Sequence, residues 1–158
     1  MFLHRKSLKS IIEALRKKGY KATPQRIAIC KYALQNSTHP TAKAIYKKVR
    51  EEYPTVSLAT VYKTIKILKE LDLIQELPFS QGNTRFDPNM APHINMVCLK
   101  CGKIVDQNTP EIRSVVKQVA ESAKFQLTGQ RLDIYGFCER CGKTLNNLRM
   151  RVEAKIAN

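Results

Sequence analysis

The stretch Ser57-Leu-Ala-Thr-Val-Tyr-Lys-Thr-Ile-Lys-Ile-Leu-Lys-Glu-Leu71 decides how the first half of the chain folds. Ser57 has a side-chain oxygen able to accept an orphan N–H at a helix start. Leu58, Val61, Tyr62, Ile65, Leu68 and Leu71 then recur at the three-to-four spacing of one helical face, while Thr60, Lys63, Thr64, Lys66 and Lys69 occupy much of the rest. That pattern predicts an amphipathic helix with a basic, hydroxyl-bearing outer side. Directly after it, Ile74–Phe79 and Thr84–Asp87 flank Ser-Gln-Gly-Asn, whose Gly and Asn tolerate the positive φ of tight turns, so a hairpin is expected. Upstream, three helices are predicted: Ser7 to Lys18, stopped by Gly19; Thr23-Pro24 to about Gln35, with proline at the first helical position; and one capped by Thr41 that ends before Tyr53-Pro54. Helices followed by a hairpin predict a winged helix-turn-helix.

The charge agrees with such a module. The 158 residues include 28 Lys and Arg against 13 Asp and Glu, a formal net charge of +15. Residues 1–84 hold 16 of the basic and 6 of the acidic side chains. An excess of this size points to a phosphate backbone, and the length excludes a large multidomain enzyme. No apolar run approaches a membrane span and the first residues lack a signal-peptide core, so a soluble, cytoplasmic protein is expected. Asp87-Pro-Asn-Met-Ala-Pro92, with two prolines and no periodicity, is the expected hinge. The predicted organisation is a winged-helix DNA-binding domain at 1–86, a hinge at 87–95 and a zinc-stabilised domain at 96–158, giving an α+β chain overall. In the second half, short strands are expected at Asn95–Leu99 and Lys103–Asp106, a helix at Pro110–Ala123, a strand at Gln126–Phe137 and a closing helix at Leu145–Ala157.

Four of the five cysteines fall in two matching turns, Cys98-Leu-Lys-Cys-Gly-Lys103 and Cys138-Glu-Arg-Cys-Gly-Lys143. Each turn offers two thiolates to one tetrahedral zinc, and the glycine is expected to let backbone N–H groups approach the sulfurs without a Cβ clash. The 36 intervening residues are no obstacle, because closure cost grows only logarithmically with loop length. Two redox-active dithiols are the competing reading, weakened by the repeated turn context. Zinc bound by Cys98, Cys101, Cys138 and Cys141 should supply folding energy to a module with little apolar core. Cys30, in the second helix, reads as a small buried apolar residue.

Thr23-Pro-Gln-Arg26, Thr38-His-Pro-Thr-Ala42, Ser57-x-Ala-Thr-Val-Tyr62-x-Thr, Arg85-Phe-Asp87, Cys98-x-x-Cys-Gly-Lys-Ile-Val-Asp106 and Arg131-Leu-Asp-Ile-Tyr-Gly136 form a series in which the chain resembles the ferric uptake regulator family. Within it, the likeness is greatest to the peroxide-responsive regulators. The resemblance implies a homodimeric, metal-dependent transcription factor, with an N-terminal winged helix that reads DNA and a C-terminal α/β domain that dimerises around a structural zinc. It implies contact of Tyr62 with DNA, although Tyr62 also falls within the apolar periodicity. Ser57, Thr60, Lys63, Thr64 and Lys66 join it as expected major-groove residues, with Lys17, Lys18, Lys21 and Arg26 on phosphates. A dimer implies a palindromic operator, A·T-rich as is usual in the family.

The resemblance also implies a regulatory metal. Carried over by position, its ligands are His39, Asp87, His93 and Asp106, with the fifth position occupied by Asn95 where peroxide-sensing relatives carry histidine. Such a set suits Fe(II) or Mn(II), and an amide oxygen is a weaker donor than imidazole. In iron-loaded relatives peroxide oxidises a ligand histidine, which makes His39 and His93 the candidates here. Gln130 stands where many relatives carry a further histidine. With only His4, His39 and His93 in the chain, another multi-histidine site is expected to be absent, which argues against a zinc sensor. A zinc-stabilised regulator that binds DNA constitutively, its sensor degenerate at Asn95 and Gln130, is the alternative. An enzyme built on Cys30 or a C-x-x-C pair has no Cys–His pairing or phosphate-binding glycine loop to support it, and no small organic substrate is expected.

Overall fold

A computed structural model describes residues 7–78 and 84–144. The chain divides into two compact units, Met1–Met90 and Ala91–Asn158.

The first unit contains four helices, α1 (Leu8–Lys17), α2 (Pro24–Gln35), α3 (Ala42–Glu52) and α4 (Leu58–Glu70), then a two-stranded antiparallel sheet of β1 (Gln75–Leu77) and β2 (Arg85–Asp87). Each helix starts where a hydroxyl can satisfy an orphan N–H. Ser7, Thr23, Thr41 and Ser57 accept from the backbone N–H of Ser10, Arg26, Ala44 and Thr60, respectively. Ile11, Leu15, Ile29, Ile45, Val61, Ile65 and Leu68 meet in one core, and Phe86 of β2 is buried in it. The wing is therefore anchored by the middle residue of Arg85-Phe86-Asp87. The flanking residues face the other way, as strand alternation requires.

β2 also pairs beyond the hairpin. The Phe86 N–H donates to the Pro40 carbonyl at 3.1 Å, and Thr41 bridges Arg85. This draws the segment before α3 alongside the wing. The predicted hairpin turn, residues 80–83, and Phe79 lie outside the described residues, and the strands are shorter than expected.

The second unit has a three-stranded sheet ordered β4-β3-β5, formed by β3 (Ile94–Cys98), β4 (Ile104–Gln107) and β5 (Leu132–Gly136). β3 pairs antiparallel with β4 and parallel with β5. The crossover between β4 and β5 contains α5 (Pro110–Ser122), and residues 139–144 are helical. The expected strand Gln126–Phe137 forms only from Leu132, because its partner β3 is five residues long and pairs from Ile94 onward. The helix expected at Leu145–Ala157 lies outside the described residues.

Alternation gives the sheet two unlike faces. Asn95 stands between Asp106 and Asp133, whereas the next residue, Met96, stands between Val105 and Ile134 on the opposite face. Met96, Val105, Leu132 and Ile134 are all exposed, and α5 has no buried residue.

Candidate metal centres and nucleic-acid surface

The four-cysteine site is built by the second unit. β3 ends at Cys98, and its sequel Leu99 donates its N–H to the Gly136 carbonyl at the end of β5, bringing the second knuckle beside the first. In both knuckles the glycine N–H donates to the carbonyl of the first cysteine at 2.8 Å: Gly102 to Cys98 and Gly142 to Cys138. The glycines are not equivalent, and the expected Cβ clash is not their common reason. Gly102 has φ +66°, the left-handed region that favours glycine, whereas a Cβ at Gly142 would meet nothing within 4 Å.

The four sulfurs all lie within 4.8 Å of one another, with Cys101 and Cys138 Sγ 3.8 Å apart. Tetrahedral zinc with Zn–S bonds near 2.3 Å separates its sulfurs by roughly 3.8 Å, so the donor set fits that ion. The Cys138 N–H donates to Cys98 Sγ at 3.3 Å. Backbone N–H groups of Cys138, Cys101 and Lys100 directed at this sulfur bring the Cys98 thiol down to about 6, and the Lys103 N–H lowers that of Cys101. Burial pushes Cys141 up to about 12. The cluster thus begins with thiolate-stabilising donors already in place at two of its four members.

The five expected regulatory-metal residues divide between the units. In the first, His39 and Asp87 are both fully buried, with His39 Nε2 3.6 Å from Asp87 Oδ1. The Asp87 carboxylate is oriented by two donors: the Asn89 N–H to Oδ1 at 2.7 Å and Gln75 Nε2 to Oδ2 at 2.7 Å. His39 has φ +52°, unusual for a non-glycine residue, and Arg85 Nη1 donates to its carbonyl at 3.2 Å. A strained backbone held by a dedicated clamp is a feature of functional positions. Arg85, Phe86 and Asp87 accordingly clamp the histidine's backbone, anchor the wing and face the histidine's ring.

In the second unit, His93 and Asn95 are buried, two residues apart. His93 Nδ1 is 2.8 Å from the Ala91 carbonyl, and its Nε2 is 3.3 Å from Asn95 Oδ1. Asn95 Nδ2 donates to Asp133 Oδ1 at 3.0 Å. Asp133 also pairs with Arg131 and accepts from the Tyr135 hydroxyl at 3.1 Å. Burial pushes the Asp133 carboxyl up, but the hydrogen bonds from Arg131 and Tyr135 outweigh it and hold the group below its usual range. Asp106 lies opposite Asn95 in register.

Arg85 and Asp133 fall within stretches that carry the family resemblance, but the resemblance marks neither them nor Gln75 as supporting groups. Asp133 becomes visible once β5 is aligned with β3, because the register sets it beside Asn95. Gln130 is half-buried ahead of β5.

On α4, Tyr62 is 51% exposed despite its place in the apolar series, and Lys63 and Lys66 are exposed beside it. Thr64 departs from the expected outer face. It is fully buried and its hydroxyl donates to the Thr60 carbonyl at 2.8 Å, because it lies one turn from the core residues Val61 and Leu68 and beside Ile65. Lys69 Nζ pairs with Glu76 of the wing at 2.7 Å. Ser57 Oγ is 2.9 Å from Thr60 Oγ1 at the helix start. Lys18 and Lys21 are exposed, whereas Arg26 is half-buried with its guanidinium donating to the Lys21 carbonyl. Cys30 is fully buried, as expected, and burial pushes its thiol up to about 12. Among the described residues no helix is long and apolar enough to cross a membrane.

A profile described as the ferric uptake regulator family matches residues 17–135. The peroxide-responsive repressor of Staphylococcus epidermidis is 37% identical over 134 residues, covering 85% of this chain and 89% of its own. The crystal structure of the Campylobacter jejuni peroxide stress regulator is similar with TM-score 0.69 at 30% identity, over 83% of this chain and 98% of that one. The Helicobacter pylori ferric uptake regulator shares the fold, with TM-score 0.73 at 24% identity over 87% of this chain and 95% of its own.

Proposed function

The chain belongs to the ferric uptake regulator family, and from that membership we propose that it is a repressor whose DNA affinity is governed by Fe(II) or Mn(II) and by peroxide. Family members are metal-responsive transcription regulators and DNA-binding dimers rather than enzymes. In the proposed reading, residues 1–86 bind a palindromic, A·T-rich operator, 87–95 act as hinge and 96–158 dimerise around zinc held by Cys98, Cys101, Cys138 and Cys141. A regulator of DNA would act in the cytoplasm.

The observation that carries the reading is the way three of the five predicted regulatory ligands are held. Asp87 is oriented by two hydrogen bonds, His39 sits on a clamped, strained backbone, and His93 has its Nδ1 on a carbonyl, which leaves Nε2 as the donor atom. Such outer partners are what orient ligands in metal sites. Proposed ligands His39, Asp87, His93, Asn95 and Asp106 supply nitrogen and oxygen donors suited to Fe(II) or Mn(II). A bound Fe(II) would supply the reactivity toward peroxide.

Since the proposed ligands come from both units, binding them together would favour one arrangement of the DNA-binding units and raise operator affinity by linkage. Thr60, Tyr62, Lys63 and Lys66 are the proposed groove contacts, with Ser57 at the helix start and Lys18, Lys21 and Arg26 toward phosphates. The test is metal analysis of anaerobically purified protein, paired with operator binding before and after Fe(II) or Mn(II) loading. One zinc per chain and tighter DNA binding on loading are expected. Equal DNA affinity with and without the second metal would make this a constitutive binder.

A further inference from the structure

The short connection from α1 to α2 is basic and is held along its length. Lys17 and Lys18 end α1, Gly19 turns the chain and Lys21 follows Tyr20, with all three lysines exposed. Gly19 has φ +78°; its N–H donates to the Arg16 carbonyl and the Tyr20 N–H to the Leu15 carbonyl, both at 2.9 Å, the pair of bonds that closes a helix on glycine. Beyond Tyr20, the Arg26 guanidinium donates to the Lys21 carbonyl. Between these points the Tyr20 ring packs against the main core while its hydroxyl donates to Glu70 Oε2 at 2.5 Å. Glu70 is the last residue of α4 and lies one turn from Lys66 and two turns from Lys63, on the same side of the helix. Its neighbour Lys69 pairs with Glu76 of the wing at 2.7 Å. The end of α4 is thus tied both to the wing and to the basic turn.

We propose that Tyr20 is a positioning residue for DNA binding: its hydrogen bond to Glu70 is a strut that fixes the Lys17–Lys21 turn against α4, so that Lys18 and Lys21 reach phosphates while α4 occupies the groove. This rests on the DNA-binding reading above and adds to it what sets the spacing of the two basic elements. A lysine gains from a phosphate only when its backbone is within reach, and a turn that had to be ordered during association would subtract its lost freedom from the affinity. With the strut in place that ordering is complete on folding. The bond itself is exposed and adds little to the fold, so its effect falls on where the turn stands rather than on whether the unit folds. Phosphate contacts position a module on the duplex, which makes the offset between turn and helix part of how the whole surface registers on DNA.

The experiment uses the full-length, zinc-loaded protein with Mn(II) present and a duplex carrying an A·T-rich palindrome as the probe. Binding is measured across a salt series for wild type, Tyr20→Phe, Glu70→Gln, the double variant Lys18→Ala with Lys21→Ala, and that double variant combined with Tyr20→Phe. Thermal unfolding serves as the fold control. Tyr20→Phe keeps the packed ring and should unfold near wild type, yet weaken binding by roughly threefold to tenfold, the reach of one net hydrogen bond, and flatten the salt dependence. Glu70→Gln leaves an acceptor oxygen for the hydroxyl and should bind at least as tightly as wild type. In the double-lysine background Tyr20→Phe should cost nothing further, a non-additivity that a merely structural role would not produce. Wild-type affinity and salt dependence in Tyr20→Phe would overturn the proposal and leave the DNA-binding reading standing. So would an undiminished loss in the double-lysine background, which would place the effect on the released Glu70 carboxylate. If Tyr20→Phe fails to fold, Glu70→Ala, at an exposed helix end, takes its place in the same cycle. A folded wild-type protein that leaves the duplex unbound with and without Mn(II) would overturn this proposal together with the function on which it rests.

Discussion

Removing zinc should unfold the second unit while the first stays folded. Among the described residues Val97 and Ile104 are the only aliphatic side chains buried in that unit, with Cys98 and Cys141 beside them. Each buried aliphatic contributes ~1.5–3 kcal/mol, so the pair supplies roughly 3–6 kcal/mol. Zinc bound to four thiolates in a small domain contributes about 10–16 kcal/mol of folding free energy. The metal thus outweighs the buried aliphatic pair roughly twofold or more. The first unit has a separate core of more than a dozen buried side chains centred on Leu15, Ile29, Ile45 and Leu68, and no cysteine of the cluster belongs to it.

The assay is hydrogen exchange read by mass spectrometry, with the protein kept reduced throughout so that thiol oxidation plays no part. After chelation, amides of β3, β4 and β5 should exchange near the rate of an unfolded chain, while those of α2, α3 and α4 stay protected. Cys98→Ser should give the same pattern without chelator. Continued protection of β3 and β5 in stripped, reduced protein would refute the reasoning, because it would mean that the sheet holds without the metal.

Lys18→Ala or Lys21→Ala, both exposed, should lower the slope of log affinity against log salt by about 0.9 per lost phosphate contact. Thr64→Val should leave that slope unchanged, since Thr64 is buried; operator binding measured across a salt series separates the two results. Phe86→Ala should cost about 3–5 kcal/mol by denaturant titration, because Phe86 is 2% exposed in the main core, and an effect below 1 kcal/mol would contradict its role as the wing's anchor. Cys30 yields a pH prediction. Its thiol is raised by burial to about 12, so the stabilisation is complete below the ordinary thiol value of 9.0 and is lost as pH rises toward the folded value. Wild-type stability relative to Cys30→Ala should therefore fall between pH 9 and pH 11 in urea titrations, and a flat difference would be evidence against it.

Much of the first unit was legible in the sequence because its helix starts are chemically explicit. Thr23-Pro24, Thr41 and Ser57 each place a hydroxyl where the orphan N–H groups need one, and the observed helices begin at the next residue. The cysteine site was legible for a similar reason, since the residue type and the spacing within each pair specify the chemistry. Thr64 and Tyr62 show where residue type misleads about which side of a helix is buried. They lie two residues apart, roughly 200° around the helix, and a small β-branched hydroxyl fits the core that a phenol cannot enter with its oxygen unpaired. β5 is shorter than its sequence suggests because strand propensity continues through residues that have no partner, and pairing rather than propensity sets its start at Leu132. Supporting groups such as Gln75 and Asp133 were hidden, because only strand pairing places them beside Asp87 and Asn95.

That pairing also explains how a small sheet can serve two purposes at once. On one face the row Asp106–Asn95–Asp133 gathers oxygen donors beside His93; on the other, one residue along, the row Val105–Met96–Ile134 is apolar and exposed. A slip of one residue in β3 would exchange the rows, burying Met96 among carboxylates and exposing the amide. Each face therefore enforces the register that the other needs: the amide–carboxylate hydrogen bond can form only in register, and only then is the opposite surface continuously apolar. In a family of DNA-binding dimers, an exposed apolar surface of this kind is the natural place for a second copy to dock. Metal binding and assembly would then be coupled through the register of five residues, Ile94 to Cys98, the last of which is also a zinc ligand in the proposed site. A substitution that disturbs the Asn95–Asp133 pair should accordingly weaken the dimer as well as the metal site. Sedimentation of Asp133→Asn at falling concentration measures this: earlier dissociation than wild type is expected, and an unchanged dimer would show that the two faces hold their register independently.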